Sequence, residues 1–206
     1  MVTGLFPTVA GAADQTADGP AAQVGEQKFV RLDEAIKAAK AGDTIILLRD
    51  FEELYTSPYD LAGKTLDLNG KAYQLKNTKR FYGNNGTIKN GTINITADNE
   101  RSLTIGSNDS ADYFTADHFT VDGVTLNNGL YIDNGTDVQL KNLTVTTFGG
   151  IKSAVWLNNG CSATIEGGSY IIDGNSTSAV YNNGGTLTIN GGTFSASGID
   201  AAAVSN

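Results

Sequence analysis

The chain has 206 residues, 40% hydrophobic and 17% charged, with a formal net charge of −8. That apolar fraction is enough for a core and excludes disorder over most of the length, which is sufficient for one or two domains. The charge is uneven, with 12 basic and 13 acidic residues in 1–103 against 2 and 9 in 104–206, and an acidic surface repels nucleic acid and anionic membranes, so neither is an expected partner.

Cys161 is the only cysteine, which precludes an internal disulfide and a cysteine-based metal site, and His118 is likewise alone. No run approaches the roughly 18 apolar residues of a membrane span. Residues 1–25 read as a leader. Ala10-Gly11-Ala12 fits the small-residue rule of a signal-peptidase site, although a charged start is missing. The segment is the tail of a secretion signal or a plain Ala/Gly leader, and either reading leaves it poorly ordered.

The folded domain is expected over 26–206. Lys28-Phe29-Val30 reads as a short strand. A capping α-helix follows over about 32–41, with Leu32, Ala35, Ile36 and Ala39 on one face and Gly42 as its breaker. Thr44–Leu48 reads as a buried strand, and coils are expected from about residue 44. All three prolines lie at or before Pro58 and all nineteen asparagines at or after Asn69. Both facts suit an unbroken sheet ladder with turns that tolerate positive φ.

From residue 68 onward, six stretches share one template, beginning at Leu68, Ile88, Val121, Leu140, Ile165 and Ile189. Positions one and six are apolar, the third is Gly or Asn (Gly70, Asn90, Gly123, Asn142, Gly167, Gly191), and the fifth is Ala, Ser or Thr. Gly and Asn reach positive φ cheaply, so each stretch reads as a strand that turns a corner, with the small fifth residue in a crowded place just past it. The starts are 20, 33, 19, 25 and 24 residues apart, a spacing expected of a solenoid. Antiparallel hairpins would use the same turn residues but would not repeat their flanking classes at coil-sized intervals. The fold class is therefore all-β, a right-handed parallel β-helix solenoid with a short N-terminal capping helix. Ala203-Val204-Ser205-Asn206 repeats Ala179-Val180-Tyr181-Asn182 at a displacement of 24, so the chain is expected to stop within a coil and to continue in the natural protein.

The opening from Phe29 to Leu47 resembles the helix-capped start of pectin-lyase-like, right-handed parallel β-helix domains. The coil Gly185-Thr186-Leu187-Thr188-Ile189-Asn190-Gly191-Gly192-Thr193-Phe194 is similar to coils of repeat-rich bacterial surface proteins. The resemblance covers residues 28–206. It implies a secreted or cell-surface protein, and it spans polysaccharide lyases, glycoside hydrolases, tailspikes and adhesins alike. Its lyase branch implies clustered acidic calcium ligands beside Arg or Lys. No such cluster stands on a template strand, and Arg101 is the last arginine.

Three sets of residues carry candidate chemistry. Tyr131, Trp156 and Tyr181 recur at intervals of 25 and 25 residues. If Leu130, Ile132, Val155 and Leu157 point inward, these aromatics point outward as a column of flat faces about 4.8 Å apart, a platform for sugar or protein. The opposite parity would bury them. Asp122, Lys141 and Glu166, in the second template column, are either an outward ladder of alternating charge or a catalytic set with paired carboxylates. Asp109, Asp112 and Asp117 lie in the longest interval between repeats, as a solvated excursion or as oxygen ligands for calcium.

The expectation is a non-catalytic, adhesin-type binding module for host glycans or proteins, monomeric and without a cofactor. The alternative is a fragment of a carbohydrate-active enzyme.

Overall fold

A computed structural model of the chain describes residues 19–53, 57–147 and 150–206. The chain opens on a hairpin of β1 (Ala22–Val24) and β2 (Gln27–Phe29), followed by α1 (Leu32–Ala38). Seven windings follow. The first holds β3 (Thr44–Leu47), β4 (Phe51–Glu53) and β5 (Tyr59–Asp60), and the second β6 (Thr65–Asp67), β7 (Ala72–Leu75) and β8 (Arg80–Tyr82). The third holds β9 (Thr87–Ile95) and β10 (Leu103–Ile105), then a side hairpin of β11 (Ser107–Asn108) and β12 (Tyr113–Phe114). The fourth and fifth are β13 (Thr120–Leu126) with β14 (Leu130–Ile132), and β15 (Val138–Thr146) with β16 (Ser153–Leu157). The last two are β17 (Ser162–Asp173) with β18 (Ser178–Asn182), and β19 (Thr186–Ser197) with β20 (Ala202–Ser205).

The windings stack as two parallel ladders. One runs β3-β6-β9-β13-β15-β17-β19 and the other β5-β8-β10-β14-β16-β18-β20. This is a β-solenoid of the parallel β-helix kind, as the repeat implies. The register places Ile88, Val121, Leu140 and Ile165 in one buried column. Ile93, Leu126, Val145 and Tyr170 form a second, and Ile105, Ile132 and Leu157 a third from the other sheet. Each winding alone would leave its apolar face in water, so neighbours stabilise one another.

The corner column holds its backbone geometry. Gly70, Asn90, Gly123, Asn142 and Gly167 all have positive φ, between 51° and 92°. The sixth member departs: Gly192, with φ 119°, takes the left-handed place beside Gly191, and the ladder between β17 and β19 slips by a residue at Glu166. The first repeat also departs, because Leu66 rather than Leu68 lies opposite Ile88 while Tyr73 still meets Ile93. Its corner is two residues longer, and the strand breaks there into β6 and β7. The fifth template residue is not in a crowded place. Thr92, Thr125, Thr144 and Ser169 form an outward column, half-buried to exposed. Crowding falls on the fourth position, where Gly168 lies opposite the buried Leu143.

The cap begins earlier than a 25-residue leader allows. Ala21 and Ala22 are fully buried, and β1 pairs antiparallel with both β2 and β3. The proposed leader over 1–18 lies outside the described residues. Helix α1 ends at Ala38 rather than near 41, because Ala39 turns extended while its N–H still bonds the Ala35 carbonyl. Leu32, Ala35 and Ile36 bury its inner face, and Ala39 follows them at 6% exposure.

Beneath the cap sits a buried polar cluster. Glu53 and Lys79 are almost fully enclosed, with Lys79 Nζ 3.7 Å from Glu53 Oε2. The Tyr59 and Tyr73 hydroxyls both donate to that same carboxylate oxygen. The ammonium also lies 3.7 Å from the centroid of the Tyr59 ring. Burial pulls the Lys79 ammonium below its usual range, with Glu53 opposing. Paired and hydrogen-bonded in this way, the charges remain tolerable away from water.

Candidate binding groove

Strand parity on the second ladder is settled by burial. Leu130, Ile132, Val155, Leu157 and Val180 are buried, while Tyr131, Trp156 and Tyr181 are half-buried on the outer face. Register sets Tyr131 beside Trp156 and Trp156 beside Tyr181. The column continues through Thr104 to Arg80 on one side and through Ser205 on the other. The aromatics do not form a stack of flat faces. Tyr131 and Trp156 meet at 72° with centroids 6.0 Å apart, and Trp156 and Tyr181 at 76° and 4.7 Å. Edge-to-face contact brings the positive ring edge onto the negative face, which a parallel sandwich would not.

Arg101 was not foreseen as a site residue. Its guanidinium carbon lies 5.2 Å from the centroids of both Tyr131 and Trp156, a double cation–π contact. Burial pulls its pKa below the usual arginine value. Its Nε and the Trp156 Nε1 are buried donors without a hydrogen-bond partner among the described residues. The signal available in sequence was positional. Thr104 pairs with Tyr131 across one winding, so Arg101 stands three residues before the aromatic column.

Among the described residues, clefts lie along this face of the stack. One of about 490 Å³ is walled by Arg80, Thr104 and Tyr131 along the column, with Arg101, Glu100 and Asn99 on one flank and Asp112 and Asp133 on another. A second, of about 430 Å³, shares Ser57 and Pro58 with it and reaches the cap at Arg31, Asp33 and Lys37. A third, of about 340 Å³, lies between Trp156 and Tyr181 and takes in Lys152, Ser178 and Ser205. The Tyr131–Trp156 contact bridges the first cleft and the third. Both clefts are rich in hydroxyl, amide and charged groups.

The cleft carboxylates differ in engagement. Asp133 accepts from the Asn108 N–H at 3.1 Å and from Asn158 Nδ2 at 3.0 Å. Burial, and then the Asp133 carboxylate, push the Tyr131 hydroxyl up. Glu100 accepts from the Thr78 hydroxyl. Asp112 is exposed on the side hairpin.

Asp109, Asp112 and Asp117 are not brought together. Asp109 accepts from the Ala111 N–H at 3.0 Å as a local turn, and Asp117 accepts from the Thr136 N–H and hydroxyl at 2.9 and 2.7 Å. Among the described residues no three His, Cys, Asp or Glu side chains are grouped to hold a metal ion. Asp109 thus closes a turn within the excursion, and Asp117 ties the excursion to the next winding.

Asp122, Lys141 and Glu166 lie on the outer face of the first ladder. They continue an alternation that starts one winding earlier than the template indicates, with Asp67, Lys89, Asp122, Lys141 and Glu166 each opposite the next. The repeats that begin at Leu68 and Ile189 would put Asn69 and Asn190 second in this column, but Asp67 lies opposite Lys89 and Gly191 opposite Glu166. Lys89 Nζ is 3.4 Å from Asp67 Oδ2, and Lys141 Nζ is 4.0 Å from Glu166 Oε2. Such exposed cross-strand pairs contribute roughly 0.2–1 kcal/mol each. Lys141 separates the two carboxylates of the catalytic reading, so they are not paired with one another.

No helix among the described residues is long and apolar enough to cross a membrane. No family model, curated protein or solved structure matches the chain.

Proposed function

We propose that the chain is a secreted or cell-surface binding module of pectin-lyase-like type, and that it holds a glycan along the outer face of its second ladder. The observation that carries this reading is the outer column of the second ladder, in which Tyr131, Trp156 and Tyr181 face outward in register between two clefts lined by hydroxyl, amide and charged side chains. Windings repeat at about 4.8 Å, close to the length of a sugar unit, so an extended oligosaccharide meets similar groups at successive steps. Aromatic edges and faces supply apolar surface to the C–H sides of sugars, and the polar flanks supply hydrogen bonds.

The test uses the only tryptophan in the chain, Trp156, as reporter. Oligosaccharides drawn from neutral and acidic classes are titrated while its emission is followed, with extracellular proteins as a parallel panel. The expected result is saturable binding of a glycan class that weakens at least tenfold in Tyr181→Ala. Unchanged emission across every glycan, with saturable capture of a protein, would overturn the glycan reading in favour of a protein partner. New reducing ends released from a bound oligosaccharide would overturn the non-catalytic reading and make this an enzyme.

A further inference from the structure

Arg80 and Arg101 stand out on this outer face. Both line the 490 Å³ cleft. Salt bridges elsewhere in the described chain engage Arg31, Lys37, Lys76, Lys79, Lys89 and Lys141, but neither Arg80 nor Arg101 forms an ion pair or side-chain hydrogen bond to a described residue. Arg80 sits on β8 opposite Thr104, in the same column as Tyr131, and lines the cleft with it. Arg101 is held against two aromatic rings, which restricts its rotamers before any ligand arrives. One guanidinium held against two rings and a second on the wall of the same cleft, neither with an acceptor among the described residues, suit a planar anion, because each presents a fork of N–H donors that matches a carboxylate.

The same cleft has Glu100, Asp112 and Asp133 on its walls. Carboxylates accept from hydroxyls but repel further negative charge. A ligand that suits both features has one anionic group and several neighbouring hydroxyl donors. A polyanion does not suit them, and the net charge of −8 opposes its approach as well.

We propose that this cleft binds one carboxylate-bearing sugar residue of an otherwise neutral glycan, its carboxylate on Arg80 and Arg101 and its hydroxyls on the acidic walls. This rests on the glycan-binding reading above and names its ligand class.

The test compares 3′-sialyllactose, lactose and a heparin tetrasaccharide in titrations of the whole chain followed by Trp156 emission and by calorimetry. Sialyllactose is expected to bind at least tenfold more tightly than lactose and more tightly than the heparin fragment. Arg80→Gln and Arg101→Gln are each expected to remove that preference, and Arg101→Lys to restore part of it, with far-ultraviolet circular dichroism confirming the fold. Equal binding of lactose and sialyllactose would overturn the acidic subsite while leaving a glycan site in place. Tighter binding of the heparin fragment would overturn it in favour of a polyanion. Failure of all three to bind, where other glycans do, would overturn the assigned ligand class, and failure of every glycan would remove the reading on which it rests. The wild-type comparison needs no variant, so a misfolded substitution does not shield the proposal.

Discussion

Tyr59, Tyr73 and Tyr170 carry phenol groups into the interior, and each is held above the usual tyrosine value. Burial is the largest cause in all three, reinforced at Tyr59 by the Glu53 carboxylate and at Tyr73 by Tyr59 and Glu53. A raised folded value means that the native state keeps its protons where the unfolded chain releases them, near pH 10. Their contribution is thus fully present below about pH 10 and is lost as pH rises beyond it. Lys79 has the opposite sign. Its folded value is lowered, so stability rises with pH from that value up to the usual lysine range. Denaturant midpoints measured between pH 8 and 11 are expected to fall above pH 10, with the phenolate absorbance of these three tyrosines appearing only as the chain unfolds. Tyr170→Phe removes one such group, at the cost of a hydrogen bond to the Gly167 carbonyl, and is expected to make that fall shallower. Phenolate absorbance from these residues in a still-folded chain would show that the hydroxyls are reached by water.

At the scale of the element, the corner is what the chain encodes most openly, because Gly and Asn mark positive φ and no other residue type recurs in that column. The exceptions show where this legibility stops. Gly191-Gly192 offers two equivalent places for one left-handed residue, so the slip beside Glu166 leaves no mark in the residue types. Leu66 and Leu68 are both buried leucines of one parity, so the longer corner of the second winding looks like an ordinary repeat. The edge-to-face aromatics and Arg101 were hidden for a different reason, since they depend on side chains from separate windings meeting. The corners also differ in tolerance. An added Cβ at Gly70, with φ 71°, meets nothing within 4 Å, whereas at Gly168, with φ 102°, it would lie 2.4 Å from the Leu143 carbonyl oxygen. Gly70→Ala is therefore expected to cost about 1–2 kcal/mol for the backbone alone. Gly168→Ala is expected to cost about 2–4 kcal/mol, because strain and overpacking add. Gly70→Asn should be nearly neutral, since Asn90 and Asn142 hold the same column at φ 58° and 51°. Urea midpoints of the three variants check the order, and a Gly168→Ala chain as stable as Gly70→Ala would mean that β15 gives way freely.

Across the whole molecule, stability is a sum of windings and of the surfaces between them, so position along the stack sets how firmly each is held. The first winding is covered: β1 pairs with β3, and α1 buries Leu32, Ala35 and Ile36 at that end. The middle windings have a neighbour on each side. The seventh has one described neighbour, and its apolar side chains show it, with Ile189 at 38%, Val204 at 44% and Ile199 at 71% exposure. Phe194 still stacks on Tyr170, with ring planes 6° apart and centroids 5.1 Å, which ties β19 to β17. Among the described residues no comparable ring holds β20, whose link to β18 includes ladder hydrogen bonds and the 2.7 Å pairing of Ser178 and Ser205 hydroxyls. Amide exchange is expected to follow that gradient, fastest in β20, slower in β19 and slowest in β13 and β15. Exchange at Ile165 and Tyr170 should lie near the middle-winding rates, because β17 is paired on both sides. If the amides of β20 were instead protected as fully as those of β13, the windings would open together. The nearest-neighbour picture of the stack would then give way to a single cooperative unit.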